Sequence, residues 1–245
     1  MKPALLIAAI LMLGTGSSAR ADGRDNDQPK IFPIQSHPYG KSYSQWATTW
    51  WRWLVSIPAA NNPVLDPTGQ NAGLNQSGKV WFLAGNFGGA SERTVTVPSG
   101  KALFFPILNT IYLGFPCDAR NLPGCEADQA LANDLAGLLA LIRPSMDGVT
   151  MACEIDGHPI RNLQANRLES AAIYSIDLGA GNVFGLPAGP YNPSADSGYY
   201  LMLAPLTAGH HTIHFKGAQA GDVFSLDVTY HLTVLRDHGG ERNDN

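Results

Sequence analysis

The sequence predicts a mainly β chain, an antiparallel β-sandwich of jelly-roll or immunoglobulin-like type with two helical insertions. Three observations lead there. Of 245 residues, 44% are apolar and only 15% charged, which excludes a coiled coil, a long-helix bundle and a charge-rich disordered chain. The 26 glycines and 17 prolines gather in turn-like clusters such as PSG, DGHP and TAGH. Between those clusters lie about eight short runs rich in β-branched and aromatic residues, and strands without regular intervening helices favour antiparallel sheets packed face to face.

At the start of the chain, Lys2 precedes an apolar run from Ala4 to Leu13, followed by Ala19-Arg20-Ala21. This is the pattern of a secretory signal peptide over residues 1–21, cleaved after Ala21. Residues 22–36 are polar and interrupted by proline, so an extended or disordered segment is expected, then a single sandwich domain over 37–236 and a disordered hydrophilic tail over 237–245. No cysteine stands at the cleavage point to carry a lipid. No later apolar run approaches the roughly 20 residues that cross a bilayer, so a periplasmic or secreted protein without a transmembrane segment is expected. The formal net charge is −4, and losing Lys2 and Arg20 makes it more acidic, which argues against nucleic acid as a partner.

The first helix is read from Ser42, where Ser42 and Gln45 form the S-x-x-Q capping box, to the stop at Pro58. A second is read from Ala127 to Ile142, with Leu131, Leu135, Leu138 and Ile142 at helical spacing and Pro144 beyond its end. Strands are read over 79–85, 93–97, 102–108, 149–156, 171–178, 199–206, 210–215 and 224–234. RTVTV-PSGK-ALFFPIL reads as a hairpin. Its second arm is apolar on both sides and therefore needs cover on both faces. The polar stretch 58–78 reads as a long loop of the kind that borders binding sites.

The blocks YSQWATTWWRWLVSIP, GKVWFLAGNFGG, VPSGKALFFPILN and GYYLMLAPLTAGHHTIHF together resemble a family of uncharacterised exported bacterial proteins. The resemblance covers most of the mature chain and implies export, but brings no substrate, cofactor or catalytic residue to these positions. PLTAGHHTIHF is also similar to the strand-turn-strand of many immunoglobulin-like and jelly-roll sandwiches, a likeness of fold alone.

At 100° per residue, Tyr43, Trp46, Trp50, Trp53, Leu54 and Ile57 form one apolar stripe on the first helix, and Trp51 falls beside it. The stripe reads as a packing face. Trp51 is the indole expected to face outward as a stacking platform for sugar rings, with Asn61, Asn62, Asn71 and Asn75 of the following loop supplying amides for sugar hydroxyls. Near the carboxy terminus, 210–215 and 224–234 read as an antiparallel hairpin pairing residue 214 with 225. That register gathers His210, His214, Asp227 and His231 on the polar face, while His211 falls on the core face. Imidazoles and a carboxylate so placed could hold a divalent metal such as Zn, Cu or Fe, although the spacing is not a recognised metal motif.

Cys117 and Cys125 flank a turn-rich loop and are the preferred disulfide pair, the pairings with Cys153 being the alternatives. Cys153 itself alternates with Met151 and Ile155 and reads as a buried thiol. Glu154 and Asp156 share a strand face, yet Asp156-Gly157 is a turn signal, and no serine-hydrolase elbow or phosphate-binding loop is present. Two functions follow. The first is an exported non-catalytic sandwich that binds a glycan, a polymer or an envelope partner through Trp51 and the Asn-rich loop, for which no cofactor is predicted. The alternative is a metal-dependent hydrolase or oxidase using the His/Asp cluster.

Overall fold

The computed structural model describes residues 29–114 and 134–236. In chain order these form α1 (Tyr43–Val55), β1 (Val80–Phe82), β2 (Gly89–Val97), β3 (Ala102–Leu113), α2 (Leu135–Ile142), β4 (Thr150–Ile155), β5 (His158–Pro159), β6 (Arg167–Glu169), β7 (Tyr174–Leu178), β8 (Gly189–Leu203), β9 (Gly209–Ala218) and β10 (Ser225–Val234). The mainly β class with two helices holds. Residues 1–28, 115–133 and 237–245 lie outside the described residues, and with them the signal peptide, the tail, Cys117 and Cys125, and the first turns of the second predicted helix.

Two sheets are present: sheet A in the order β1-β3-β8-β6 with β7 also on β8, and sheet B in the order β2-β10-β9-β4-β5. Both are mixed, which corrects the purely antiparallel expectation: β1 runs parallel to β3, and β2 parallel to β10. The predicted hairpin between 93–97 and 102–108 does not form either. Instead the PSGK turn carries the chain from sheet B to sheet A. The reason lies in the burial patterns of the two arms. In β2, Arg93, Val95 and Val97 alternate with exposed residues, as suits an edge strand with one wet face, whereas β3 is buried at every position from Ala102 to Leu108. Such a strand needs a neighbour on each side and a layer on each face.

Those layers are α1 and sheet B. On one face of sheet A, Leu103, Phe105, Leu201 and Leu203 pack with Ile213, Phe215, Val228, Tyr230 and Leu232 of sheet B. On the other, Phe104, Tyr200 and Met202 pack against Tyr43, Trp46, Trp50 and Leu54 of α1. Burying each such large apolar side chain contributes about 1.5–3 kcal/mol.

The capping box starts α1 as read from the sequence: Ser42 Oγ accepts from Gln45 N–H (3.3 Å), and Gln45 Oε1 accepts from Ser42 N–H (2.9 Å). Ahead of it, Ile31 bridges to Leu203, and the Phe32 carbonyl accepts from the Tyr43 hydroxyl.

The β9–β10 register differs from the one read. His214 stands opposite Thr229, and Ser225 opposite Ala218, because β9 runs three residues further into the turn than the sequence indicated. The slip is an even number of residues, so every side chain keeps its face. β8 also begins ten residues earlier than read, since PYNPSADSG has the composition of a turn.

Candidate functional site

Of the sequence-nominated residues the structure joins His214 to Asp227, but it does not gather the others into one site. Trp51 is 5% exposed, which corrects the expected outward platform. Sheet A covers one side of α1. The 58–78 loop covers another, where the Trp53 indole donates to the Leu74 carbonyl (2.9 Å) and Asn62 Nδ2 donates to the Leu54 and Ile57 carbonyls (2.8 and 2.7 Å). Asn62 is thus a buried cap of the helix end. Asn61 is exposed, Asn71 is held through its backbone by Asp66, and Asn75 donates its amide to Ser56.

The histidines lie on the outer face of sheet B as read, but in separate pairs. His214 Nε2 meets Asp227 Oδ1 (2.7 Å), His231 Nε2 meets Glu92 Oε1 (2.8 Å), and His210 Nδ1 meets Thr233 Oγ1 (3.2 Å). His211 sits at the rim of the core with Nδ1 on Asp156 Oδ2 (2.7 Å), and Asp156 occupies the turn its sequence signalled, at φ 53°. Among the described residues no three His, Cys, Asp or Glu side chains are grouped to hold a metal ion. Cys153 is buried, and burial pushes its thiol up to about 12.

A different site forms where β1 ends. β1 pairs only with Ala102–Phe104, so β3 continues past it with its edge uncovered by that strand. The next residues of β3 carry a bulge between Pro106 and Leu108, a place that suits proline because it has no ladder N–H to give. The extra residue switches the alternation: Ile107 and Leu108 both enter the core between the sheets, and Asn109 turns to the α1 side, where its Nδ2 donates to the Tyr200 hydroxyl (3.2 Å).

The result is a cleft of about 190 Å³. Trp50, Trp51 and Leu54 of α1 line it, with Phe87 after β1, the Pro106–Thr110 bulge, and Gln219 and Phe224 from the β9–β10 turn. None of the four nominated asparagines does. Trp50 and Trp51 stand at 84° with centroids 5.0 Å apart, two aromatic walls meeting at a corner. From Trp51 a tilted series of rings runs outward through Phe184 to Phe87, which is 51% exposed.

Behind the Asn109 wall is a buried carboxylate. Asp196 accepts from Ser170 Oγ (2.7 Å), Tyr174 OH (2.9 Å) and Tyr200 OH (2.8 Å). Burial raises its pKa, and the three hydroxyls and the nearby Trp51 indole offset only part of the rise. That indole influences the carboxyl electrostatically, yet Trp51 Nε1 has no acceptor in hydrogen-bonding geometry among the described residues. By contrast the Trp50 indole donates to the Leu83 carbonyl (2.9 Å).

Gly198 makes this arrangement fit. It stands opposite Asn109, and a Cβ there would lie 2.6 Å from Asn109 Cβ and 2.7 Å from the Leu108 carbonyl. Gly198→Ala is therefore expected to cost about 1–3 kcal/mol, as overpacking of a filled site does, and to drive Asn109 off Tyr200. Chemical denaturation, together with the Asn109 side-chain amide resonances, checks both effects.

Sequence reasoning missed this site because its polar members sit in segments that look like something else. Asn109 follows an apolar run, and Asp196 lies within a stretch that reads as a turn. The one available signal was Pro106, which inside a doubly buried strand points to a bulge.

No protein-family profile matches the chain, and no curated protein matches it. Among solved structures the chain is similar to one titled "Solution Structure of Amebosin", at 9% identity and a TM-score of 0.24, covering 64% of this chain and 99% of that one. A likeness at that TM-score carries no argument.

Proposed function

We propose that the chain is an exported, non-catalytic β-sandwich protein that binds a glycan by taking one of its rings into the cleft between Trp51 and the Asn109 bulge. The observation that carries this reading is the corner made by Trp50 and Trp51 over a cavity of about 190 Å³. Aromatic walls offer stacking faces to the C–H surface of a ring. The cavity lies below the range of sites that enclose drug-sized molecules, so it suits a single ring. No charged side chain lines it, which favours a neutral occupant over an ion that would be stripped of water. Export is supported by the basic, apolar and small-residue pattern of residues 1–21 and by the resemblance to exported proteins. No helix of the described residues is long and apolar enough to cross a membrane.

Titrating the purified protein with methyl glycosides of glucose, galactose and N-acetylglucosamine, followed by tryptophan fluorescence, tests the reading. At least one is expected to give a saturable change, weakened tenfold or more in Trp51→Leu and unchanged in Asn61→Ala. Saturation by none of the three, or undiminished binding in Trp51→Leu, contradicts it.

A further inference from the structure

The cleft contains more than apolar walls, and its polar groups are oriented by what lies behind them. The Tyr200 hydroxyl commits its proton to Asp196 Oδ2 (2.8 Å). Toward Asn109 it can therefore only accept, and it does so from Nδ2 (3.2 Å). A carboxamide has one acceptor oxygen and two N–H donors. With one donor spent on Tyr200, Asn109 keeps its carbonyl oxygen and its second N–H, one acceptor and one donor side by side in the amide plane. Thr110 and Gln219 also line the cleft, and their side chains make no hydrogen bond among the described residues.

We infer that Asn109 is the specificity-determining residue of the cleft, reading two adjacent hydroxyls on a neutral ring, and that Tyr200 and Asp196 are positioning residues that hold its amide in the reading orientation. One hydroxyl donates to Asn109 Oδ1, and its neighbour accepts from Asn109 Nδ2. The ligand class is a cyclic vicinal diol, the motif that distinguishes a sugar ring from an aromatic or simple alicyclic ring of the same size. A site built to hydrogen-bond a hydroxyl rejects an analogue lacking it far more strongly than an apolar pocket rejects an extra group. The Asn109 amide is the element that sets this preference.

This inference rests on the cleft being the binding site, and the test separates the two. The probes are cyclohexanol and trans-1,2-cyclohexanediol, one ring each, titrated against the full chain and followed by tryptophan fluorescence. Wild-type protein is expected to bind the diol at least tenfold more tightly than the mono-alcohol. Asn109→Leu is expected to weaken the diol about tenfold, equivalent to roughly 1.4 kcal/mol, and so bring the two affinities within about twofold. Tyr200→Phe keeps the ring but frees the amide, so it is expected to bring the ratio of diol to cyclohexanol affinity toward one. A loss of packing alone would weaken both probes together and leave their ratio unchanged.

Equal binding of the two probes by wild-type protein, or a preference that survives Asn109→Leu, overturns the inference and leaves the cleft as a binding site. Failure of both probes to bind overturns the inference and the site together.

Discussion

Replacing Arg93 by Met is expected to lower stability by about 3 kcal/mol or more, which is roughly 10 °C in melting temperature for a chain of this size. Arg93 is 1% exposed, and its guanidinium reaches across the molecule from the edge of sheet B. Nε donates to the Asp66 carbonyl (2.7 Å), Nη1 to the Ala84 carbonyl and the Tyr230 hydroxyl (2.6 and 2.7 Å), and Nη2 to the Gly85 carbonyl (3.0 Å). All four acceptors are uncharged. The methionine would fill the space but orphan the buried Asp66 and Gly85 carbonyls, each costing roughly 1–3 kcal/mol, and leave the Ala84 carbonyl with the Tyr230 hydroxyl alone (2.8 Å). Lysine would carry the charge without the planar fork and is expected to recover less than half of the loss. Because Ala84 and Gly85 lead directly into Asn86 and Phe87 on the cleft wall, Arg93→Met is also expected to weaken any ligand of the cleft. Denaturant melts beside a ligand titration check both consequences.

The second large effect is at Asp196. Asp196→Leu leaves the hydroxyls of Ser170, Tyr174 and Tyr200 without their acceptor, at an expected cost of about 3 kcal/mol or more. Asp196→Asn keeps one acceptor oxygen and isolates the electrostatic contribution. In the fold, burial raises the Asp196 carboxyl above its ordinary value, partly opposed by hydrogen bonds from Ser170, Tyr200 and Tyr174. The folded chain therefore holds this proton to higher pH than the unfolded chain does. The stability linked to it is fully present below the unfolded value near ~4 and is lost as pH rises through the raised folded value. Denaturant midpoints compared across pH should show wild type losing stability relative to Asp196→Asn as pH rises from about 4, and then running parallel. A difference that stays constant across that window would contradict the assignment.

Much of the architecture was legible because two physical signals are strong in this chain. The α1 capping box and the alternation of β9 and β10 follow from local hydrogen bonding and pleat geometry, and both appear where the residues indicated. ALFFPIL announced a strand covered on both faces, and α1 and sheet B cover it. Strand partners were less legible. Choosing β10 rather than β3 as the neighbour of β2 depends on long-range packing, and the parallel pairings carry no turn signal.

Arg93 was readable in hindsight. In RTVTV it shares its face with Val95 and Val97, so an arginine had to enter the core with them. Trp51 was misjudged because helical periodicity assigns one buried face, while α1 is enclosed by a sheet on one side and a loop on another. The histidine cluster failed for a different reason. Face was correctly inferred, but each imidazole found a nearer partner of its own, and Glu92 came from a strand that the sequence placed elsewhere.

The central claim is that a ring enters the cleft at the Trp50–Trp51 corner, and the five tryptophans provide five separate reporters. A ¹H–¹⁵N correlation spectrum resolves their indole N–H groups during titration with the methyl glycoside that binds most tightly. The resonances of Trp50 and Trp51 are expected to move with ligand, that of Trp51, whose N–H has no acceptor among the described residues, most, while Trp46, Trp53 and Trp81 stay in place. Shifts confined to Trp46, Trp53 or Trp81, or no shift at saturating ligand, would contradict the account.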